Sequence, residues 1–360
     1  MSTVPVPKGE NFISRVFNSI FFYIFLVFFI SLGTGYLLLN SQAKGILVEQ
    51  MLHREQLATR AGAISINTFF NLYDKAFAEL VTRSEIIEFS PEAEQIINDF
   101  MARWDGSPVA GVIILDKDGI VRFNGNRDLI PNVAVSLADR DYFGRAKTAK
   151  AGDILISSPI VSRLGASVGK YIVTVSTPIF SQNGSFEGVL SSSIILDELT
   201  NQFITSLKIT DKSFEYLLNE SGDVLGTDQQ GILGVNFVDQ LSKNPFVGSL
   251  LLGDKLKKIL SSRMEGKLEV AYPSDIKLQL PKPMLVAYSP LDIGDNHLML
   301  AISTPTDDAL IFLFPVYARS VKIIAGAFFI ILLLGIRIAK IRGYQERVEE
   351  EHRAHTNISL

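Results

Sequence analysis

The feature that most constrains this chain is an apolar stretch without any charged residue at residues 16–39, VFNSIFFYIFLVFFISLGTGYLLL. A helix needs about 20 predominantly apolar residues to span the hydrocarbon core of a bilayer. We therefore predict a first transmembrane helix at residues 16–39, after a cytoplasmic N-terminus at residues 1–15. A cleaved signal peptide is the alternative, because Ser41 and Ala43 have the spacing of a cleavage site. However, the apolar core of a signal peptide runs only about 7–15 residues.

A second apolar stretch, residues 323–336, lies near the other end of the chain, and an apolar run at residues 310–316 leads into it. We predict a juxtamembrane segment and a second transmembrane helix over residues 310–338. A buried core helix is the alternative. The run is so apolar that a membrane span is the better interpretation.

Positive charges flank both stretches on their outer sides and predict the orientation in the membrane. Short basic flanks stay cytoplasmic. We expect both termini inside, with residues 40–318 outside the cytoplasm and a cytoplasmic tail at residues 339–360. This is the topology of a protein that crosses the inner (plasma) membrane twice. The flanking charges are Lys8, Arg15, Arg337, Lys340, Arg342, Arg347 and Arg353.

Composition and motifs argue against several kinds of function. The chain has no Cys and only four scattered His, which leaves little material for a metal site. Its net charge of −4 provides no basic face for nucleic acid. There is no nucleophile elbow, phosphate-binding loop or HExxH motif, and the paired Asp307 and Asp308 are better placed to cap a helix. We therefore expect no enzymatic activity, no cofactor, no metal ion and no nucleic-acid partner.

Residues 40–88 are predicted to form a long stalk helix. From residue 42 to residue 83 there is neither Pro nor a turn cluster, and apolar residues recur at spacings of three and four. This spacing is typical of an amphipathic helix. About 40 residues at 1.5 Å each would make a rod of about 60 Å. The apolar stripe must pack against something, first the adjacent globular part and second a dimer partner.

Residues 89–208 are predicted to form a mixed unit of helices and strands. A short helix near residues 90–104 precedes a hairpin made of VAGVIILD and IVRFN around an Asp-Gly turn. A helix follows that Asp139 can cap and Gly152 can stop. Three strand candidates then appear, ILISSPIV, KYIVTVSTPIF and SFEGVLSSSIIL, before a closing helix at residues 197–207. The expected order is a hairpin, a helical crossing and three antiparallel strands.

The same succession returns in residues 209–306, which we predict to be a second unit. EYLLNESGDVLG is similar to VIILDKDGIVRF of the first hairpin, since each has an aliphatic run, an acidic turn with Gly and a second strand. Helical stretches at residues 237–241 and 249–262 precede three strands, KLEVAYP, PMLVAYSPL and HLMLAISTP. A repeat of this length indicates a duplicated domain and not a solenoid. Chance similarity of two hairpins is the alternative.

Two membrane helices that enclose a long helix and two such units resemble the double Cache sensor domain. The local signature is DRDYF at residues 139–143, similar to the D-R-x-(W/Y)-F of the family, followed by SSPIV, IVTVSTPIF and GVLSSSIILDEL. The resemblance covers about residues 40–305. It implies an α/β (α+β) fold with a long N-terminal helix and two tandem PAS-like (Cache) units, flanked by two transmembrane helices. It also implies that the membrane-distal unit, here the first repeat, binds the ligand.

The residue types of the first repeat indicate how a pocket could bind a ligand. The planar guanidinium of Arg140 suits a carboxylate, and Tyr142 offers a ring wall and a hydrogen-bond donor. Hydroxyls alternate along the strands, so one of each neighbouring pair faces inward. The predicted ligand-binding residues are Arg140, Tyr142, Phe143, Ser158, Tyr171, Thr174 and Ser193.

Each of these residues also has a structural interpretation. Arg140 can pair with Asp139 or Asp141 at a solvated helix end, since exposed ion pairs are common. Tyr142 and Phe143 can be core residues that hold the helix to the sheet. The serines can be ordinary strand residues.

The sequence departs from the subgroup of double Cache domains that binds amino acids. Members of that subgroup carry a Tyr before the Arg, a Trp after it, and an Asp on the last strand that holds the amino group. The corresponding positions here are Val135, Tyr142 and Ser193, so a ligand ammonium would lose its carboxylate partner. The resemblance therefore implies a small polar or anionic solute, such as a carboxylate or an amide, and not a free α-amino acid.

The sequence supports two functions of different kinds. In the first, the chain is an extracytoplasmic receptor, expected to be a homodimer, in which a small-molecule ligand shifts the long helix and the second membrane helix. Residues 339–360 are too few for a kinase, a cyclase or a chemotaxis output. The output is then expected in a longer form of the receptor or in a separate cytoplasmic signalling protein. In the second, the chain is a membrane-anchored binding or interaction protein that transmits no signal.

Overall fold

The computed structural model describes residues 12–130, 132–243, 249–273, 281–311 and 314–358. Most of the predicted N-terminal segment at residues 1–15 and the last two positions of the predicted tail lie outside the described residues. The chain divides into two compact units, Met1–Asp308 and Ala309–Leu360. Both β-sheets belong to the first.

One helix, α1 (Phe12–Val81), contains both the first predicted transmembrane helix and the stalk. Large apolar side chains are exposed on several sides of its early part, including Val27 at 63% and Leu38 at 62% exposure. From Met51 onward, buried apolar side chains recur at helical spacing. Apolar exposure on all sides suits a helix surrounded by lipid, whereas a one-sided stripe suits packing on protein. The helix therefore changes its environment along its length.

The stalk helix is shorter than the predicted residues 40–88. α1 ends at Val81, and a separate short helix, α2 (Ser84–Ile87), follows it. Arg83 has an extended backbone, with φ −68° and ψ 131°. An extended residue cannot continue the helical hydrogen-bond pattern, so the helix is interrupted at this point.

The first mixed unit is built around one antiparallel sheet. The strand order is β2-β1-β6-β5-β3, and β4 also pairs with β5. The predicted strand ILISSPIV forms two short strands, because the segment between them contains Pro159, which has no N–H to donate. The elements are α3 (Glu92–Arg103), β1 (Val109–Asp116), β2 (Val121–Asn126), α4 (Asp141–Thr148), β3 (Leu155–Ile156), β4 (Ile160–Val161), β5 (Tyr171–Phe180), β6 (Phe186–Ile195) and α5 (Leu196–Ile204).

The second half of the fold repeats this arrangement, and we call the two halves the first sheet domain (residues 84–204) and the second sheet domain (residues 214–305). The order β8-β7-β11-β10-β9 matches the order of the first sheet strand for strand. This match confirms the predicted duplication. The elements are β7 (Phe214–Asn219), β8 (Val224–Thr227), α6 (Phe237–Lys243), α7 (Ser249–Ser262), β9 (Gly266–Pro273), β10 (Pro281–Ile293), β11 (Asn296–Pro305) and α8 (Thr306–Ala309).

Helix α1 packs on both sheet domains. Its Tyr73 hydroxyl donates a hydrogen bond to the Ser192 hydroxyl of β6, and the Tyr73 ring lies 4.8 Å from the Trp104 ring between centroids. Earlier in the helix, the hydroxyls of Thr59 and of Ser289 in β10 lie 3.1 Å apart. The second sheet domain therefore packs nearer the apolar, N-terminal end of α1, and the first sheet domain packs farther from it.

The second compact unit contains one long helix, α9 (Phe314–Ile358). Its window Ala318–Gly335 has a mean hydropathy of 1.9, and none of that window is buried. Within the described residues, α1 and α9 are the 2 helices that are long and apolar enough to cross a membrane. Of the predicted juxtamembrane segment, residues 312–313 lie outside the described residues.

Candidate functional site

A pocket in the first sheet domain, called the first-domain pocket, lies between β1, β2, β5, the start of α4 and residues 160–167. Its free volume is about 40 Å³. One water molecule takes roughly 30 Å³ of the liquid, so the free space in the pocket is small. Its polar lining residues are Asn124, Asn126, Arg140, Tyr142, Ser162, Arg163, Ser167, Thr174 and Ser193.

The fold brings several of the predicted ligand-binding residues together. Arg140, Tyr142, Thr174 and Ser193 all line the first-domain pocket. Thr174 and Ser193 are direct partners in the register between β5 and β6. Arg140 and Tyr142 come from the start of α4, which packs beside these strands. Contact between these side chains and a ligand stays a prediction.

Arg140 occupies the N-cap position of α4, where the sequence had suggested Asp139. Its guanidinium donates a hydrogen bond to the Val161 carbonyl oxygen at 3.2 Å. Asp139 forms its ion pair with Arg163 instead, at 2.7 Å, and that hydrogen bond lowers the pKa of the Asp139 carboxyl. Within the described residues, Arg140 has no carboxylate at ion-pair distance. Its charge is therefore available to an anionic ligand.

Tyr142 and Phe143 are neighbours in α4 but have different surroundings. Tyr142 is 4% exposed, and burial raises the pKa of its hydroxyl to about 12, so the hydroxyl stays protonated at physiological pH. Phe143 does not line the pocket. Its ring packs edge-on against Phe186 of β6, with 6.4 Å between centroids, and the Lys147 ammonium lies 4.8 Å from its centroid. The contact with Phe186 shows that Phe143 packs α4 against the sheet.

Thr174 has an unused hydrogen-bonding group at the pocket. The residue is 2% exposed, and its Oγ1 is buried without a hydrogen-bond partner among the described residues. Nearby hydroxyls on the same strands are paired: Ser176 lies 2.9 Å from Ser191, and Ser192 donates to the Gly111 carbonyl at 3.0 Å. An unsatisfied buried polar group costs about 1–3 kcal/mol. A ligand atom that bonds Thr174 would recover part of this cost.

Ser158 and Tyr171, two further predicted ligand-binding residues, lie away from the first-domain pocket. Ser158 is exposed in the link between β3 and β4. Tyr171 begins β5, and a Cβ added to Gly234 of the second sheet domain would come within 3.0 Å of its hydroxyl. Val135 does not line the pocket either. Alternation along a strand predicts which side chains share a face, but it does not predict which face meets a pocket.

Several polar lining residues were not among the predicted ones. Asn126 uses its side chain to hold the loop after β2, because its Oδ1 accepts from the Ile130 N–H at 3.1 Å. The hydroxyls of Ser162 and Ser167 lie 2.8 Å apart. Asn124 and Asn126 alternate along β2, so the sequence alone indicates that their side chains share one face of the sheet. Nothing in the local sequence indicated that the loop around Ser162 folds over the pocket.

The sequence of this chain matches the profile of a known protein family. The profile of the double Cache family, described as a Cache domain, matches residues 43–311. The chain belongs to the double Cache family. The resemblance drawn from the sequence is thereby confirmed, together with the predicted fold class. No curated protein sequence matches this double Cache chain significantly.

Solved structures share the double Cache fold at low sequence identity. The ligand-binding domain of the Pseudomonas aeruginosa PAO1 amino acid chemoreceptor PctB, in complex with L-Gln, is 15% identical with a TM-score of 0.50, covering 76% of this chain and 97% of that one. The extracellular domain of a candidate histidine kinase, vpHK1S-Z8, is 13% identical with a TM-score of 0.53, covering 75% and 95%. At these identities, the two likenesses show a shared fold and do not transfer a ligand.

A further structure, an extracellular ligand binding receptor from Desulfohalobium retbaense DSM5692, is 14% identical with a TM-score of 0.45. The match covers 72% of this chain, which spans 39% of the length of that receptor.

Within the described residues, the lining of the first-domain pocket has one positive charge without a carboxylate partner, that of Arg140, because Arg163 is paired with Asp139. The lining includes Arg140 and Arg163, and the lining residues that the structure describes contain neither Asp nor Glu. Guanidinium groups bind carboxylates through strong, charge-assisted hydrogen bonds. The described part of this double Cache protein also has no cluster of His, Cys, Asp and Glu suited to a metal ion. The pocket chemistry therefore suits an anionic or neutral polar group.

Proposed function

We propose that this double Cache protein is an extracytoplasmic sensor whose first-domain pocket binds a small solute with a carboxylate or amide group. The supporting observation is that Arg140 and the unpartnered Thr174 hydroxyl line a pocket whose described lining contains no carboxylate. A ligand carboxylate can accept from both groups. The ammonium of a free α-amino acid would have no acidic partner there, so amino acids are not the proposed ligands.

Ligand entry requires the pocket to widen. Its free volume of about 40 Å³ is far below the roughly 300–1,000 Å³ of typical ligand pockets. The hydrogen bond from Arg140 to the Val161 carbonyl joins α4 to the segment that covers the pocket. We propose that the ligand carboxylate replaces this carbonyl on Arg140, which releases the covering segment. The closed and open forms are then the two states of the sensor.

Neighbouring residues of β6 connect the pocket with α1. Ser193 lines the pocket, while the hydroxyl of Ser192 bonds Tyr73 of α1. A shift of β6 at the pocket would therefore move α1 through this hydrogen bond. Helix α1 continues without interruption into the apolar segment. In the proposed topology both termini of the given sequence are cytoplasmic, and residues 40–318 lie outside the inner membrane. A homodimer passes the change to a cytoplasmic output domain, in a longer form of the receptor or in a separate signalling protein. The chain itself is proposed to have no enzymatic activity.

The ligand class can be tested with the full chain in nanodiscs. Thermal unfolding is followed with acetate, lactate, succinate and acetamide, and separately with L-alanine and L-glutamine. A carboxylate or amide is expected to raise the melting temperature in a concentration-dependent way, because it binds the folded state. Arg140→Gln should abolish the rise. Arg122→Gln is the matched control, because Arg122 pairs with Asp116 and does not line the pocket.

Two results would contradict this proposal. A rise of equal size in Arg140→Gln would place the ligand elsewhere, and a rise with amino acids alone would overturn the ligand class. Signalling is tested separately, by measuring distances between spin labels in the tail of the homodimer with and without ligand. Binding without any change in these distances would favour a membrane-anchored binding protein that transmits no signal.

A further inference from the structure

A second and larger cleft lies where the two sheet domains meet α1. Its free volume is about 330 Å³, against about 40 Å³ in the first-domain pocket. This volume is at the lower end of the range for small-molecule sites. α1 contributes one helical face, α4 and β3 contribute the wall from the first sheet domain, and the turn between β10 and β11 contributes the wall from the second. We call it the junction cleft; its polar lining residues are Asn67, Asn71, Asp74, Arg145, Asp292 and Asp295.

The walls of the junction cleft are held by specific contacts. The Asn296 side-chain amide donates to the Ser157 carbonyl at 2.8 Å, which joins the second sheet domain to the first. Gly294 has φ +60°, and a Cβ there would come within 2.9 Å of Ile156. The turn between β10 and β11 therefore sits closely against β3, and the cleft is a defined part of the fold.

The charges of the junction cleft are mostly negative, and one carboxylate is unused. Arg145 donates to the Ile156 carbonyl at 3.1 Å and forms an ion pair with Asp295 at 3.2 Å. Asp292 lies 2.6 Å from the ring nitrogen of His297. Asp74 is different, because its Oδ1 is buried and has no hydrogen-bond partner among the described residues. Burial raises the pKa of the Asp74 carboxyl to about 6, so the group is mostly ionised at neutral pH.

Polar residues on α1 lie beside its buried apolar stripe at this place. Asn67, Asn71 and Asp74 follow one another at spacings of four and three, so they share one face of the helix. Two side-chain amides beside an unpaired carboxylate supply acceptors for a donor-rich group. Asp74 is half-buried, and its buried Oδ1 is stabilised when a cation or hydrogen-bond donor approaches it.

We propose that the junction cleft is a second small-molecule site, which takes a compact organic amine with its ammonium group on Asp74 and hydrogen bonds to Asn67 and Asn71. Such a ligand would touch α1 and both sheet domains at once. It would also touch α4, whose first turn lines the first-domain pocket and whose Arg145 lines the cleft. Occupation of the cleft is therefore expected to alter ligand binding in the first-domain pocket. The amine site itself does not depend on the function proposed for that pocket.

The experiment is isothermal titration calorimetry of the full chain in nanodiscs of uncharged lipid. The probe is putrescine, and the matched neutral control is 1,4-butanediol, which has the same carbon chain with hydroxyls in place of the amines. Putrescine is expected to bind and butanediol is not. Asp74→Asn should weaken putrescine binding roughly 10- to 100-fold, the loss typical of one hydrogen bond to a charged group. Asp211→Asn, at an exposed site outside the cleft, should bind as the wild type does.

Two further variants test whether putrescine binds in the junction cleft. Arg140→Gln should change the affinity for putrescine much less than Asp74→Asn does, since Arg140 lines only the first-domain pocket of the two. Asn71→Leu should weaken binding, and it provides an independent measurement if Asp74→Asn does not fold. Failure of the wild type to bind putrescine at millimolar concentration would overturn the proposal. Unchanged affinity in Asp74→Asn, or in Asn71→Leu if the first variant is unfolded, would do the same.

Discussion

The hydroxyl of Tyr73 on α1 donates a hydrogen bond to the hydroxyl of Ser192 on β6, in the buried core between the helix and the first sheet. Ser192 in turn donates to the Gly111 carbonyl of β1 at 3.0 Å. Three elements that are far apart in sequence are thus joined through one serine. The next residue along β6, Ser193, lines the first-domain pocket.

The two ends of this hydrogen bond should respond differently to mutation. Tyr73→Phe removes the donor, and Ser192 still donates to Gly111, so we expect a loss of about 0.5–1.5 kcal/mol in the free energy of unfolding. Ser192→Ala leaves the fully buried Tyr73 hydroxyl without an acceptor, so the loss should be larger, about 1–3 kcal/mol. Urea unfolding of the two variants measures this difference. Equal losses would show that the tyrosine hydroxyl finds another partner.

Replacement of Thr174 by valine should separate stability from ligand binding. Valine has nearly the same shape and removes a buried hydroxyl that has no partner among the described residues. We expect Thr174→Val to keep or raise the melting temperature while weakening ligand binding in the first-domain pocket. Thr200→Val is the control, because the Thr200 hydroxyl donates to the Leu196 carbonyl at 2.8 Å. That variant should be less stable by about 1 kcal/mol, and a less stable Thr174→Val would refute the assignment of an unused hydroxyl.

Glu55 should make stability depend on pH. The residue lies on α1 against the second sheet domain, is fully buried, and has no hydrogen-bond partner for either carboxylate oxygen among the described residues. Burial raises its pKa from 4.5 to about 8. The folded protein therefore keeps a proton that the unfolded chain releases, and the free energy of unfolding should fall as the pH rises from about 4.5 to about 8.

The matching measurement is urea unfolding of the wild type and Glu55→Gln between pH 5 and pH 9. In Glu55→Gln, the free energy of unfolding should no longer fall with rising pH. At pH 9 this variant should be more stable than the wild type. Each unit of pKa shift corresponds to about 1.4 kcal/mol, so the difference should be on the order of a few kcal/mol. Glu79→Gln, at an exposed position of the same helix, should keep the wild-type dependence. An unchanged slope in Glu55→Gln would assign the effect to another group.

Two glycines should respond in opposite directions to alanine. A Cβ on Gly188 of β6 would overlap the Leu115 carbonyl oxygen, whereas a Cβ on Gly144 of α4 would meet no atom within 4 Å. Gly188→Ala should therefore lower the free energy of unfolding by about 1–3 kcal/mol through overpacking. Gly144→Ala should raise it by about 0.5–1 kcal/mol, because alanine is the better helix former. Thermal unfolding of both variants measures this difference in stability. If Gly188→Ala is as stable as the wild type, β6 and β1 can move apart locally.

The strands and their duplication were predictable because their chemistry is local. In the first hairpin, the Asp116 side chain accepts from the N–H groups of Asp118 and Ile120, each at 3.0 Å, so a short run of residues determines its own turn. The helix boundaries were less predictable. The N-cap of α4 is Arg140 and not Asp139, whose carboxylate accepts a hydrogen bond from Arg163, more than twenty residues along the chain.

The candidate site was only partly predictable for the same reason. Arg140 and Tyr142 belong to a local signature, and Thr174 and Ser193 lie on strongly alternating strands. Ser158 and Tyr171 have the same residue types, yet the interruption at Pro159 and the contact with the second sheet domain place them elsewhere. The junction cleft was not predicted at all, since Asn67, Asn71 and Asp74 become neighbours of Asp292 and Asp295 only when the second sheet domain folds.

The sequence by itself determined the apolar segments, the long helix, the two α/β repeats and the double Cache family, because each depends on the order of residues over short distances. The tertiary structure alone decided which polar groups share a cavity. The register of β5 against β6 places Thr174 beside Ser193, and the packing of both sheet domains on α1 leaves Asp74 without a partner among the described residues. Those outcomes depend on contacts between distant parts of the chain, which no local pattern encodes.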